Sequence, residues 1–266
     1  MTREEQVWAD VEQIRAQAPL IHNITNYVVM NNTANALLSL GASPVMAHAE
    51  EEIEEMVGIA SALVINIGTL SVPWIQAMQK AQRAAAAKGT PIVIDPVGAG
   101  ATALRTRTVH ELLSAVSPTV VRGNASEIMA LQQADAGAKG VDSQHGSEAA
   151  TEIAQRVADQ YDCVVCVSGE VDYVISADRK VRVRNGHALM PRVTGLGCTA
   201  SSLIGAFCAV NPNAFEAVMH AMVVMGIAGE LAAAKAQGPG TLQLYFLDAL
   251  HNLSAADIRQ RIQIES

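Results

Sequence analysis

Apolar positions follow two alternating rhythms along this chain. Short, largely apolar runs at 62–68, 91–94, 119–121 and 163–167 predict strands buried on both faces, and 20–24 reads as a short strand. A further short stretch at 43–47 reads as a strand or its end. Between them, apolar residues recur at helical spacing. Val7, Trp8, Val11 and Ile14 form one stripe in a helix over 2–17 that Pro19 stops. Further helices are predicted over 28–40, closed by Gly41, over 50–60 with an acidic first turn, and over 72–88, closed by Gly89. The rhythm continues with helices over 102–116, 125–131 and 147–161; the glycine-rich, polar stretch 136–146 reads as an exposed loop. Segments 171–176 and 181–184 flank Ala-Asp-Arg-Lys and predict a hairpin, and four helices follow at about 199–210, 212–236, 241–250 and 255–264.

Alternation of continuous apolar strands with helices predicts an α/β fold: a largely parallel central sheet with helices on both faces and one short antiparallel hairpin. No linker or shift of composition divides the 266 residues, so a single domain over 1–266 is expected. Half of the residues are apolar, only 3% are aromatic, and mean hydropathy is +0.21, which suits an aliphatic core of helices on a sheet.

A formal charge of −8, with no basic run, speaks against a nucleic-acid partner. The N-terminal stretch is too acidic and polar for a secretory signal, and the longest apolar region, about 217–234, is interrupted by His220 and Glu230. It therefore reads as a buried helix, no membrane partner is expected, and the cytoplasm is the expected compartment. Cys163 and Cys166 fall three apart in a strand and point to opposite faces, so neither a shared metal nor a disulfide is expected. The seven histidines show no ligand spacing.

Candidate chemistry collects where strands end, because ligands of open α/β sheets bind beyond the carboxyl ends of the strands. Those ends carry Asn66 and Gly68, Asp95, Arg122 with Asn124 and Glu127, and Ser168 with Gly169. The stretch Arg192–Gly205 adds Gly195 and Gly197 ahead of a helix from about Thr199. Glycine admits close backbone approach, and a helix start presents unpaired N–H groups and a positive dipole end, the recipe for an anion site. Cys198 lies at that entrance, where a thiol pKa tends to fall. Two carboxylates, an arginine, hydroxyls and an anion cradle together fit Mg²⁺-dependent phosphoryl transfer.

Asn124-Ala-Ser-Glu127 matches the N-x-x-E motif of the ribokinase-like superfamily, and Thr194-Gly-Leu-Gly-Cys198 matches its glycine-rich anion-hole segment. With Asp95-Pro-Val-Gly98, the 23–28 segment and the order of segments over nearly the whole chain, the sequence resembles the hydroxyethylthiazole kinase family within it. The resemblance implies a ribokinase-like fold, ATP and Mg²⁺ as cofactors, and 5-(2-hydroxyethyl)-4-methylthiazole as the alcohol phosphorylated, in thiamine biosynthesis. It also implies a homotrimer with the thiazole site where two subunits meet. By position, Arg122 and Ser168 would contact ATP, joined at the same edge by Asn124, Gly169 and Thr194. Met46 and Gly195 would contact the thiazole, with Asn26, Val28 and Gly68 near it, while Asp95 and Glu127 would serve the metal, directly or through water. Gly195, Gly197 and Cys198 would form the catalytic anion hole. Where most of the superfamily has an aspartate base, this chain has Cys198, which leaves the base open. Two other readings stand beside this one: a kinase of another small alcohol such as hydroxymethylpyrimidine, or an ATP- or ADP-dependent dehydratase of hydrated nicotinamide nucleotides. A non-catalytic nucleotide sensor is a third.

Overall fold

The apolar runs form one sheet. In the computed structural model, which describes residues 1–132 and 146–266, β1 (Leu20–Ile24), β3 (Ala62–Asn66), β4 (Ile92–Asp95), β5 (Val120–Asn124) and β6 (Val164–Ser168) lie side by side and parallel. Strand β2 (Ser43–Val45) flanks β1, and the antiparallel strands β7 (Asp172–Ile175), β8 (Lys180–Val183) and β9 (Ile264–Glu265) extend the other side. The order is β2-β1-β3-β4-β5-β6-β7-β8-β9.

Strand side chains alternate between two cores. Ile21, Val64, Val93, Val120 and Cys166 face a layer built by α1 (Arg3–Gln17), α2 (Met30–Leu40), α8 (Leu196–Val210), α9 (Ala214–Ala233), α10 (Pro239–Asn252) and α11 (Ala255–Arg261). Leu63, Ile65, Ile94, Val121 and Val165 face α3 (Ile53–Ile59), α4 (Val72–Lys88), α5 (Ala103–Ala115), α6 (Ala125–Met129) and α7 (Gly146–Tyr161). Cys163 and Cys166 fall in opposite cores, as their spacing requires, and all four cysteines are free.

Local chemistry sets the boundaries. Ser71 accepts the Trp74 N–H ahead of Pro73, and Gly89 closes the same helix at φ +74°, so α4 spans the predicted residues. Several boundaries differ from the expected ones, three of them for a readable reason. The helix predicted from about 199 begins at Leu196, because Gly195 takes φ +83° as its N-cap and the turn tightens directly into helix. The helix predicted from 28 begins at Met30, and the last helix ends at Arg261, where the chain turns to add β9 against β8 (Val183 opposite Ile264). A two-residue strand leaves no periodicity to read. The loop expected at 136–146 lies outside the described residues, except Gly146, which opens α7.

Helix α9 is long and apolar enough to cross a bilayer, yet 78% of its most apolar window is buried in the fold. Its interruptions are partnered within the fold. His220 meets Asp10 (2.6 Å), and Glu230 accepts from Asn185 Nδ2 (2.9 Å) and from the Gly186 N–H (3.1 Å).

Candidate active site

Parallel register brings the strand-end residues together: Asn66 lies opposite Asp95, and Asn124 opposite Ser168. Helix α8 starts above this edge. Thr199 N–H bonds back to the Gly195 carbonyl (2.8 Å), so the N–H groups of Leu196, Gly197 and Cys198 have no acceptor inside the helix and project the positive end of its dipole.

Asp95, fully buried, sits at the centre. Its Oδ2 accepts from Asn66 Nδ2 (2.9 Å) and Ser201 Oγ (2.8 Å), with Arg122 Nη1 at 4.0 Å, while its Oδ1 has no partner. Burial pushes this carboxyl up to about 6 and the Glu127 charge adds to the shift; Arg122, Ser201 and Asn66 oppose it. The Arg122 guanidinium lies over Gly197, where an added Cβ would fall 2.9 Å from Nη1 and 3.2 Å from Nη2. Arg122 Nη2 donates to Ser168 Oγ (2.6 Å).

Glu127 owes its place to local folding. Asn124 Oδ1 accepts the Glu127 N–H (2.9 Å) and Glu127 Oε2 accepts the Asn124 N–H (2.8 Å), a reciprocal cap that starts α6. Its Oε1 takes the Gly98 N–H (2.9 Å), so the carboxylate also ties down the turn after Asp95.

On the other side, Asn26 follows β1. Its Nδ2 donates to Asn66 Oδ1 (3.0 Å) and approaches Cys198 Sγ (3.6 Å), and its Oδ1 accepts the Val28 N–H (3.2 Å). Gly68 N–H joins the same Asn66 Oδ1 (2.9 Å). Gly195 packs so closely on Val29 that a Cβ would fall 2.7 Å from Cγ1. Cys198 departs from the expectation of a lowered pKa. Burial and the Asp95 charge push its thiol up to about 11, against the opposing pull of Asn66, Arg122 and Asn26.

The structure thus gathers Asn26, Gly68, Asp95, Arg122, Asn124, Glu127, Ser168, Gly195, Gly197 and Cys198 at one edge. Gly169 adjoins Ser168, and its N–H donates to Asp172 Oδ1 (2.9 Å); Thr194 is exposed just ahead of Gly195. Met46 is half-buried beyond β2, two strands from β3, and the next residue is anchored by His22 Nε2 to the Ala47 carbonyl (2.7 Å). Val28 is exposed.

Sequence reasoning gave no role to Ser201, Asp172 or Arg105. Ser201 lies three residues after Cys198, so helical spacing was a usable signal. Arg105 gave none; it clamps the Val97 and Gly68 carbonyls (both 2.8 Å) from α5.

Among the described residues no group of three or more His, Cys, Asp or Glu side chains is placed to cage a metal ion. Mg²⁺ does not ask for one, since it commonly takes one or two carboxylates with waters and substrate phosphates. The partnerless, buried Asp95 Oδ1 fits that demand.

A profile of the hydroxyethylthiazole kinase family matches residues 11–256. The hydroxyethylthiazole kinase of Syntrophus aciditrophicus is 60% identical over 261 residues, 98% of this chain and 97% of that protein. The solved hydroxyethylthiazole kinase structure from Pyrococcus horikoshii superposes with a TM-score of 0.91 at 45% identity, covering 98% of both chains. Staphylococcus aureus pyridoxal kinase, solved with AMP-PCP and pyridoxal, shares the ribokinase-like fold at 15% identity (TM-score 0.66; 93% of this chain and 98% of that one). With the profile spanning most of its length and relatives this similar, the chain belongs to the hydroxyethylthiazole kinase family.

Proposed function

We propose that this chain, acting as one kinase domain, phosphorylates the primary hydroxyl of 5-(2-hydroxyethyl)-4-methylthiazole for thiamine synthesis or salvage, using ATP and Mg²⁺ in the cytoplasm. Beyond family membership, one observation supports the reading most. Asp95 is bonded to Ser201 of α8 while Arg122 lies on Gly197 of the same helix, so carboxylate, guanidinium and helix N-terminus meet at one point.

When bound, ATP supplies the phosphoryl group, and Mg²⁺ the neutralisation of phosphate charge that transfer to an alcohol needs. Asp95 and Glu127 would hold the metal, directly or through water. Arg122, braced by Ser168, would bind the nucleotide phosphates with Asn124, Gly169 and Thr194 around it. The N–H groups of Leu196, Gly197 and Cys198 would stabilise charge on the phosphate oxygens, an arrangement in which a single donor is typically worth about 10²–10³ in rate. Met46, Gly195, Asn26, Val28 and Gly68 would line the acceptor side. Cys198, a neutral thiol at physiological pH, would line the anion hole, and the loose transition state of phosphoryl transfer leaves little for a base to do. A dehydratase on this scaffold is not favoured, since the family and the high-identity relatives are kinases.

The test is ADP release with hydroxyethylthiazole, hydroxymethylpyrimidine, ribose and pyridoxal offered side by side. Turnover of the thiazole is expected to exceed the others. Clear turnover of another alcohol with none of the thiazole would reassign the acceptor.

A further inference from the structure

The Asn66 side chain touches both halves of the proposed site. It closes β3, is 1% exposed, and all its bonds stay within the edge. Nδ2 donates to Asp95 Oδ2 (2.9 Å), while Oδ1 accepts from Asn26 Nδ2 (3.0 Å) and from the Gly68 N–H (2.9 Å). Its orientation follows from chemistry. The Gly68 N–H must meet an oxygen and the Asp95 carboxylate must meet a donor, so turning the amide over would lose all three bonds.

The neighbours it holds have little other freedom. Asn26 is buried and bridges Asn66 and Cys198 Sγ, while its Oδ1 fixes the Val28 N–H. Asp95 has its other neutral donor in Ser201. Together, Asn66 and Ser201 occupy Oδ2 and fix the carboxylate's rotation, so that Oδ1 is the oxygen left without a partner. The chain of contacts therefore runs from Ser201 through Asp95, Asn66 and Asn26 to Cys198.

We propose that Asn66 is a positioning residue that locks the Asp95 carboxylate and the Asn26 amide into one register, aligning the acceptor side of the site with its metal side. The inference rests on the kinase reading above. It differs from a merely structural cap of β3, which would lower stability and leave the kinetic parameters in proportion. Misplacing reacting groups by about 1 Å can cost about 10²-fold in rate, so a residue aligning both sides affects turnover and acceptor binding together.

The test uses the full chain and the variants N66A, N66S, N26A and N26A/N66A. Calorimetry measures hydroxyethylthiazole affinity without nucleotide or metal; steady-state assays measure kcat and both KM values; thermal melting reports folding. For N66A the expected result is kcat lower by about 10²-fold, thiazole Kd weaker by about tenfold and ATP KM within about threefold of wild type. N66S, which keeps one small polar group at the position, should recover part of the loss and stands in should N66A not fold. Because Asn26 and Asn66 are bonded to each other, the double variant should lose less than the product of the two single losses, whereas independent sites would multiply their losses. Wild-type kinetics in a folded N66A or N66S, equal rises in both KM values, or multiplying losses in the double variant would each overturn the inference alone. Absence of thiazole binding and turnover in the wild type would overturn the kinase reading, and the inference with it.

Discussion

Cys198 shows burial overriding a helix terminus. At the N-terminal turn of α8 the dipole favours a thiolate, and the sequence suggests a lowered pKa. But the side chain is half-buried and faces the Asp95 charge, and the thiol rises to about 11. At pH 7 about one molecule in 10⁴ is then ionised. Alkylation of the native, ligand-free protein by iodoacetamide should therefore be slow at pH 7 and climb about tenfold per pH unit to at least pH 10. An ordinary thiol of pKa ~8.5 levels off above about pH 9. The other three cysteines are buried and should stay unlabelled. A plateau below pH 9 would contradict the raised pKa. For catalysis, a base is typically worth about 10²–10⁴-fold. Cys198→Ser should instead lower kcat by less than about tenfold, and Cys198→Asp should keep measurable turnover; folded, ATP-binding variants that are both inactive would make the thiol indispensable.

Elements were legible where local chemistry fixed them. Ser71, Pro73 and Gly89 bound α4, and N-x-x-E at 124–127 makes the reciprocal cap that its spacing allows. The start of α8 was misplaced because two glycines read as loop, although Gly197 is helical and only Gly195 has a positive φ. That difference gives a contrast between two variants. Alanine at 197 suits a helix, and its gain of at most about 1 kcal/mol over glycine should offset the shift of Arg122, so the melting temperature should change little. Its Cβ, however, would displace Arg122 from beside Ser168, and ATP KM should rise by about tenfold. Alanine at 195 meets both a positive φ and Val29, so it should lower the melting temperature as well. Unchanged ATP kinetics in Gly197→Ala would mean that Arg122 does not bind the phosphates.

At the scale of the molecule, continuous apolar strands made the fold class readable, but strand order was not. It brings β3 beside β4 and lets Asn66 reach Asp95, and no local pattern encodes such a neighbour. The same holds for partners outside the chain. Transfer to an alcohol rather than to water requires a site that excludes water, and the acceptor side of this one carries exposed apolar side chains. Next to buried Asn26, Tyr27 and Val28 are 63% and 67% exposed. Tyr27 packs on the Trp74 ring (centroids 4.9 Å apart), which also packs on His48. A neighbouring subunit laid on this side would bury those side chains, which is how the homotrimer that the family resemblance implies would serve the chemistry. Light scattering should then give about 84 kDa, three times the 28.0 kDa chain. Val28→Asp, which sets a charge into that contact, should shift the mass toward 28.0 kDa and weaken thiazole binding by at least about tenfold, with ATP affinity less affected. A wild-type chain that is monomeric at micromolar concentration and fully active would show that one subunit closes its own site.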